Sequence, residues 1–142
     1  MPSASLTRRH ASLVTVRALG NWVNLSTPLG LLIARLGQAQ VHRHERGLYL
    51  AESYRLRFPV AGAFTVGNVI LTAGSLEQLT GRGQLLEHEE AHTWQYLYCL
   101  GLPYYLAYGA CVAWSVLTTG DRALGNFFER QAGLAAGGYL NP

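Results

Sequence analysis

The chain has 142 residues, the size of one ordinary domain, so a single domain over residues 1–142 is predicted. Hydrophobic residues make up 49% of the chain and charged residues only 13%, against about 25% charged in an average soluble domain. This composition excludes a disordered tail and a coiled coil, and it favours a domain with an apolar face for a membrane, a partner or a second copy. The net charge of +3 is too low for a dedicated nucleic-acid binder, so no nucleic-acid partner is expected.

Cysteine content and the N-terminal sequence bear on the cell compartment. Two cysteines, Cys99 and Cys111, are too few for a disulfide scaffold, and both are predicted to be small buried hydrophobes. Arg8 and Arg9 precede an apolar stretch, but Arg17 interrupts it and no small-residue cleavage site follows. We therefore expect a reducing, cytoplasmic location, with membrane association as the open alternative.

The first half of the chain predicts helices followed by strands. Apolar residues at helical spacing predict a helix from Leu6 to Leu25 and a shorter one from Leu29 to Leu36. A polar stretch, 38–46, follows them. The segments 47–52 and 63–72 are rich in β-branched and aromatic residues, which predicts two or three antiparallel strands.

The second half of the chain predicts helices only. A turn or short helix is expected at 75–79, and longer helices are expected over 84–100, 104–117 and from Asn126 to Gly137–Gly138. The predicted fold class is therefore α+β, with helices and a small antiparallel sheet in one domain.

Residues 88–92 read His-Glu-Glu-Ala-His, the H-E-x-x-H pattern, within the helix predicted over 84–100. Histidines four positions apart lie on the same helical face, so His88 and His92 can bind one zinc ion. Glu89 lies one step around the helix, where its carboxylate reaches a water on the metal and can take its proton. A solvated helix with polar pairs is the alternative, but apolar residues continue the histidine face and indicate that it points inward.

A catalytic zinc usually takes a third protein ligand from elsewhere in the chain. The candidates are His10, His42, His44, Asp121 and Glu129. Glu129 fits best, because it lies on the first turn of a predicted helix whose next turn carries small residues. The alternative for Glu129 is a capping box with Asn126, in which the acid bonds back to a backbone N–H. His42 and His44 are expected to be exposed loop residues.

These residues resemble the gluzincin class of zinc metallopeptidases. The similarity extends over the segments 64–71, 92–96, 101–103 and 126–130, which are most like small single-domain bacterial HExxH proteins of unknown function. The resemblance implies a minimal zincin-like domain that binds one Zn²⁺ and hydrolyses peptide bonds in a peptide or protein substrate. It implies that His88, His92 and Glu129 are the metal ligands and that Glu89 is the general base.

Two further residues are candidates for roles beside the metal. Tyr139, near the end of the last predicted helix, is a candidate oxyanion donor to a substrate carbonyl, with simple packing as the alternative. Gln95 is a candidate hydrogen-bond partner of a metal ligand, with a solvent-facing position as the alternative.

The segment from Thr93 to Gly120 contains no charged residue over 28 positions. Its apolar part, 104–117, is shorter than the roughly 20 residues that cross a bilayer, and it suits a buried helix, an oligomer interface or an interfacial helix. A second function therefore stays open: a non-catalytic, zinc-stabilised helical protein that binds a partner or membrane through the 104–117 helix.

Overall fold

A computed structural model describes residues 4–57, 62–81 and 84–140, without the side chains of residues 4–7. Its helices and strands confirm the predicted α+β class. In chain order the elements are α1 (Ala4–Val23), α2 (Ser26–Leu36), β1 (Gln40–His44), β2 (Leu48–Glu52), β3 (Ala63–Val66), β4 (Val69–Thr72), α3 (Leu76–Gly81), α4 (Leu85–Tyr98), α5 (Pro103–Thr119) and α6 (Phe127–Ala132). A 3-10 turn, Glu45–Gly47, joins β1 to β2.

The four strands form one sheet in the order β1-β2-β4-β3. β1 pairs antiparallel with β2, and β3 pairs antiparallel with β4 across a hairpin turn at Gly67 and Asn68. β2 and β4 pair in parallel, with Leu50 opposite Ile70, so the prediction of a purely antiparallel sheet was wrong at this pair. Apolar patterning marks a strand but not the direction of its partner, and β4 is buried at all four positions, as central strands are.

Two expected boundaries also differ from the structure. The polar stretch 38–46 contains β1, whose five residues are all exposed and so give no alternation of burial that a sequence pattern could reveal. The last helix ends at Ala132 and not at Gly137–Gly138, because Gly133 leaves helical geometry with a φ of 102° and turns follow it.

The buried residues form three apolar clusters around the sheet and helices. One lies between α2 and the sheet and includes Ala34 and Val69, and another lies under α3 and includes Ile70 and Leu79. The third is aromatic, joins α4, α5 and α6, and is built from Tyr96, Tyr104 and Phe128. Among the described residues no single helix is long and apolar enough to cross a bilayer; α4 and α5 reach that length and composition together, but their axes bend by 119°.

Polar residues of α1 form hydrogen bonds with the face of α4 that carries Thr93. Arg17 is fully buried, donates a hydrogen bond to the Thr93 hydroxyl at 3.1 Å and lies over the Trp94 ring at 5.6 Å. Asn21, also fully buried, donates to the Thr93 carbonyl at 2.8 Å and to the Asn68 side chain at 2.9 Å. These bonds fix α4 relative to α1 and the sheet, independently of its opposite face.

Candidate metal centre

Three potential ligands converge in the interior between α4 and α6. His88 and His92 lie one turn apart on α4, and Glu129 lies on the first turn of α6; all three are buried. The two Nε2 atoms are 3.2 Å apart, and Glu129 Oε2 lies 3.0 Å from His88 Nε2 and 3.4 Å from His92 Nε2. This buried group can hold a metal ion.

The other ring nitrogen of each histidine determines where its proton lies. His88 Nδ1 lies 2.8 Å from the Gly133 carbonyl oxygen, which can only accept, so this nitrogen carries the proton. His92 Nδ1 lies 2.8 Å from Gln95 Oε1. The orientation of that amide is set because Gln95 Nε2 donates to the Phe128 carbonyl at 2.9 Å and to Gln131 Oε1 at 3.0 Å. In the neutral form of each histidine, Nε2 is therefore the unprotonated nitrogen, and both Nε2 atoms face Glu129.

When both histidines are neutral, the three donor atoms face one another without a proton between them, an arrangement that fits a cation. Two nitrogen lone pairs and a carboxylate oxygen repel at these distances unless a positive charge lies among them. Glu129 Oε2 is buried and has no hydrogen-bond partner. It would form an ion pair with the histidines only if their rings took up an additional proton. A set of two imidazoles and one carboxylate is a known zinc ligand set, and the orienting bonds to Gly133 and Gln95 are typical around metal-bound histidines.

Glu129 is held as a carboxylate by its neighbours. Burial alone would raise its pKa, but the adjacent His88 and His92 rings, which can donate to the carboxylate only when Nε2 is protonated, and the Tyr108 hydroxyl outweigh this and bring the pKa well below its usual range. The Tyr108 hydroxyl donates to Glu129 Oε1 at 2.5 Å, while burial and the Glu129 charge raise the pKa of Tyr108. One carboxylate oxygen is thus bound by Tyr108, and the other faces the histidines.

Glu89 lies on the side of α4 that faces the sheet. Its side chain is buried, and the Thr65 hydroxyl on β3 donates to Glu89 Oε2 at 2.7 Å. Burial raises the pKa of Glu89; the positive charge that His92 carries when protonated and the bond from Thr65 reduce this rise without cancelling it. A carboxylate with a raised pKa takes up a proton more readily than an exposed one, as a general base requires.

Tyr139 lies against the histidines, beyond the end of α6. Its ring centre is 5.9 Å from that of His88. A Cβ atom on Gly137 would lie 2.6 Å from the His88 ring, so only glycine lets the chain pass this close before it reaches Tyr139. Burial raises the pKa of Tyr139 to about 12, so its hydroxyl keeps its proton at neutral pH and can donate a hydrogen bond.

The remaining candidates for the third ligand lie apart from the two histidines. These are His10, His42, His44 and Asp121, all of them exposed. His42 contacts Glu52 at 3.1 Å on the edge of the sheet opposite β3, and Asp121 accepts a hydrogen bond from the backbone N–H of Ala123 at 2.7 Å. β1 thus keeps its two histidines away from α4.

The structure also bears on the capping-box alternative for Glu129 and on the two cysteines, which were expected to be buried. The capping box is half formed: Asn126 accepts from the Phe128 N–H at 3.0 Å, but its own N–H donates to the Ala123 carbonyl and not to Glu129. Cys99 and Cys111 are half-buried free thiols, because they pack on the outside of the aromatic cluster.

Sequence reasoning did not identify several residues that contact the site. They are Thr65, Tyr104, Tyr108, Gly133 and Gln131. Tyr104 and Tyr108 share one face of α5 at a spacing of four, a pattern that also suits plain core packing. Thr65 and Gly133 reach the site through tertiary contacts that leave no pattern in the sequence.

Comparison with protein families, with curated proteins and with solved structures finds no significant match to this chain. The resemblance to gluzincins and the single zincin-like domain therefore stay predictions.

Proposed function

We propose that this protein is a zinc-dependent metallopeptidase of the gluzincin type, acting on a peptide or protein substrate. The observation that carries the proposal is the inward convergence of three potential ligand atoms, from His88, His92 and Glu129, in a buried position. Glu89, which follows His88 in the sequence, supplies a buried carboxylate with a raised pKa beside the three potential ligands. Metal ligands and a poised base on adjacent residues support hydrolysis over a purely structural role.

His88, His92 and Glu129 would hold the zinc ion. When bound, zinc supplies a Lewis acid that activates water and polarises a carbonyl group. Glu89 accepts the proton of the attacking water and passes it to the leaving amine, while Thr65 keeps its carboxylate in place. Tyr139 keeps its hydroxyl proton and donates a hydrogen bond to the oxygen that gains negative charge.

One observation favours a second function. α5 exposes large apolar side chains along its length, among them Leu106, Trp114 and Leu117 at 82%, 64% and 83%. A patch of this kind is typical of an interaction surface. A non-catalytic protein in which zinc ties α4 to α6 and α5 binds a partner or membrane is therefore the alternative proposal.

Metal content tests the ligand set. We expect the purified protein to hold close to one zinc ion per chain, measured by plasma mass spectrometry. Glu129→Gln keeps the shape of the side chain but removes its charge, so zinc affinity falls by more than about a hundredfold. Glu87→Gln is the matched control, because Glu87 is an exposed acid on α4, and it should retain zinc. Zinc retention by Glu129→Gln would remove this residue from the ligand set.

Glu89→Gln separates catalysis from metal binding. We expect this variant to keep its zinc and its thermal stability, because an amide can still accept the Thr65 hydrogen bond. Without a base, cleavage of a peptide library falls by a factor of about 10²–10⁴, read by mass spectrometry of the products. Cleavage at the parental rate would show that Glu89 is not the base, and no cleavage by the parent under any condition would favour the non-catalytic alternative.

A further inference from the structure

The C-terminal end of α1 and the loop between α4 and α5 meet at one end of the molecule. Asn24 donates to the Tyr96 carbonyl at 3.3 Å, and a Cβ atom on Gly101 would lie 2.6 Å from the Asn24 carbonyl oxygen. The aliphatic residues on either side of this contact point outward; we name them the apolar cap. They are Val23, Leu25, Leu100, Leu102 and Leu106, with exposures of 83%, 60%, 75%, 50% and 82%.

Two leucines of the apolar cap adopt a backbone conformation that disfavours leucine. Leu25 follows α1 with a φ of 69°, and Leu100 follows α4 with a φ of 59°. This left-handed position after a helix is usually glycine or asparagine, because a branched side chain is strained there. Neither leucine is buried in compensation, so folding alone gives no reason for leucine at these positions. A binding surface that needs exposed aliphatic groups would explain why leucine occupies both positions.

The segments that carry the apolar cap contain no acidic residue that would repel a negatively charged surface. Residues 1–44 contain five arginines, of which Arg17 is buried and the other four are exposed, and residues 91–120 contain no Asp, Glu, Lys or Arg. Arg8 and Arg9 are exposed on α1, roughly 20 Å from Val23 along the helix at about 1.5 Å per residue. Aliphatic groups at one end of a helix and arginines towards the other suit the acyl chains and the phosphates of a lipid layer.

Aromatic residues lie beside the apolar cap. Trp22, Tyr98 and Tyr105 are 40%, 67% and 42% exposed, and each lies within two positions of a cap residue in the sequence. Rings of this type, apolar with one polar group, are enriched where acyl chains meet headgroups. From the strained leucines, the arginines and these rings we propose that the apolar cap inserts into the interface of an anionic lipid bilayer.

Vesicle flotation tests this proposal without any measurement of hydrolysis. The probe is phosphatidylcholine vesicles that contain phosphatidylglycerol, incubated with the full chain, and the test variant is Leu25→Asn with Leu100→Asn. We expect its lipid partition coefficient to fall at least about tenfold, because two inserted leucines are lost. Since asparagine tolerates the left-handed conformation, the melting temperature should not fall.

Leu36→Asn with Leu56→Asn is the matched control. Both leucines are exposed, at 63% and 49%, and each is a sequence neighbour of the bond at the far end of α2 in which the Arg55 N–H donates to the Gly37 carbonyl at 2.9 Å. The control should float as the parent does, and vesicles without phosphatidylglycerol should bind the parent more weakly. Parental flotation by the test variant would overturn the proposal. A second outcome would also overturn it. If light scattering shows that the parent and the control form a dimer without lipid and that the test variant does not, a second copy of the chain covers the apolar cap.

Discussion

At the scale of single residues, one amide defines the chemistry of His92. Gln95 uses both hydrogens of its Nε2 for Phe128 and Gln131, so its oxygen must face the His92 ring. The ring then donates from Nδ1 and presents the lone pair of Nε2 to the metal position. A buried side chain that touches no substrate thereby decides whether the ring can bind a cation.

Replacing this amide should weaken metal binding. We expect Gln95→Leu to lower zinc affinity by about 10–100-fold, because His92 loses the acceptor that orients it. Tyr104→Phe is the control: the Tyr104 hydroxyl lies 3.4 Å from His92 Nδ1, too far for a strong bond, so its loss should change the affinity less. A competition titration against a chelating dye measures the zinc affinity of both variants. Equal affinities for Gln95→Leu and the parent would mean that the ring is oriented by other contacts.

At the scale of elements, periodicity in the sequence predicts helices better than it predicts the side they bury. The apolar residues of α1 recur at helical spacing, yet Val16, Leu19 and Val23 are exposed, at 56%, 60% and 83%. The face that packs inward carries Arg17 and Asn21, because their hydrogen bonds to α4 replace apolar contacts. Since hydrophobic spacing assigns the buried face by polarity alone, it cannot identify a helix of this inverted kind.

The strands show a second limit of the sequence. The segments that became β2 and β4 are identifiable because most of their residues are apolar and buried. β1 escapes detection because four of its five residues are polar and all five are exposed, so that its backbone pairing with β2 leaves no hydrophobic pattern. Pairing direction is likewise a property of how the chain crosses between strands, which composition does not encode.

The candidate ligands were more predictable than their surroundings. The spacing of His88 and His92 fixes their relative position within one helix, and a first-turn acid such as Glu129 faces a neighbouring helix closely enough to join them. Thr65 and Tyr108 contact the acids of the site from distant parts of the chain. Only the packing of β3 and α5 against α4 and α6 brings them there, so no local pattern predicts them.

At the scale of the whole molecule, the candidate metal position lies at the boundary between two unequal parts. The sheet, α1, α2 and α4 are joined by buried clusters and by the polar bonds of Arg17 and Asn21. The segment 127–139 contacts that part mainly through the aromatic cluster and the bonds from His88 and Gln95. A cation held by ligands of both α4 and α6 would therefore stabilise the smaller part most.

Metal removal should consequently loosen one segment and leave the rest folded. With EDTA we expect amide exchange in residues 127–139 to quicken by at least about tenfold, while α1, α4 and the sheet keep their protection, since the contacts that hold these three elements to one another do not involve the metal position. Hydrogen exchange read by mass spectrometry localises the change, and Glu129→Gln should reproduce it without a chelator. If the whole chain lost protection together, zinc would be holding the entire fold. That outcome would favour the non-catalytic protein over the peptidase, because a catalytic zinc is not required for folding.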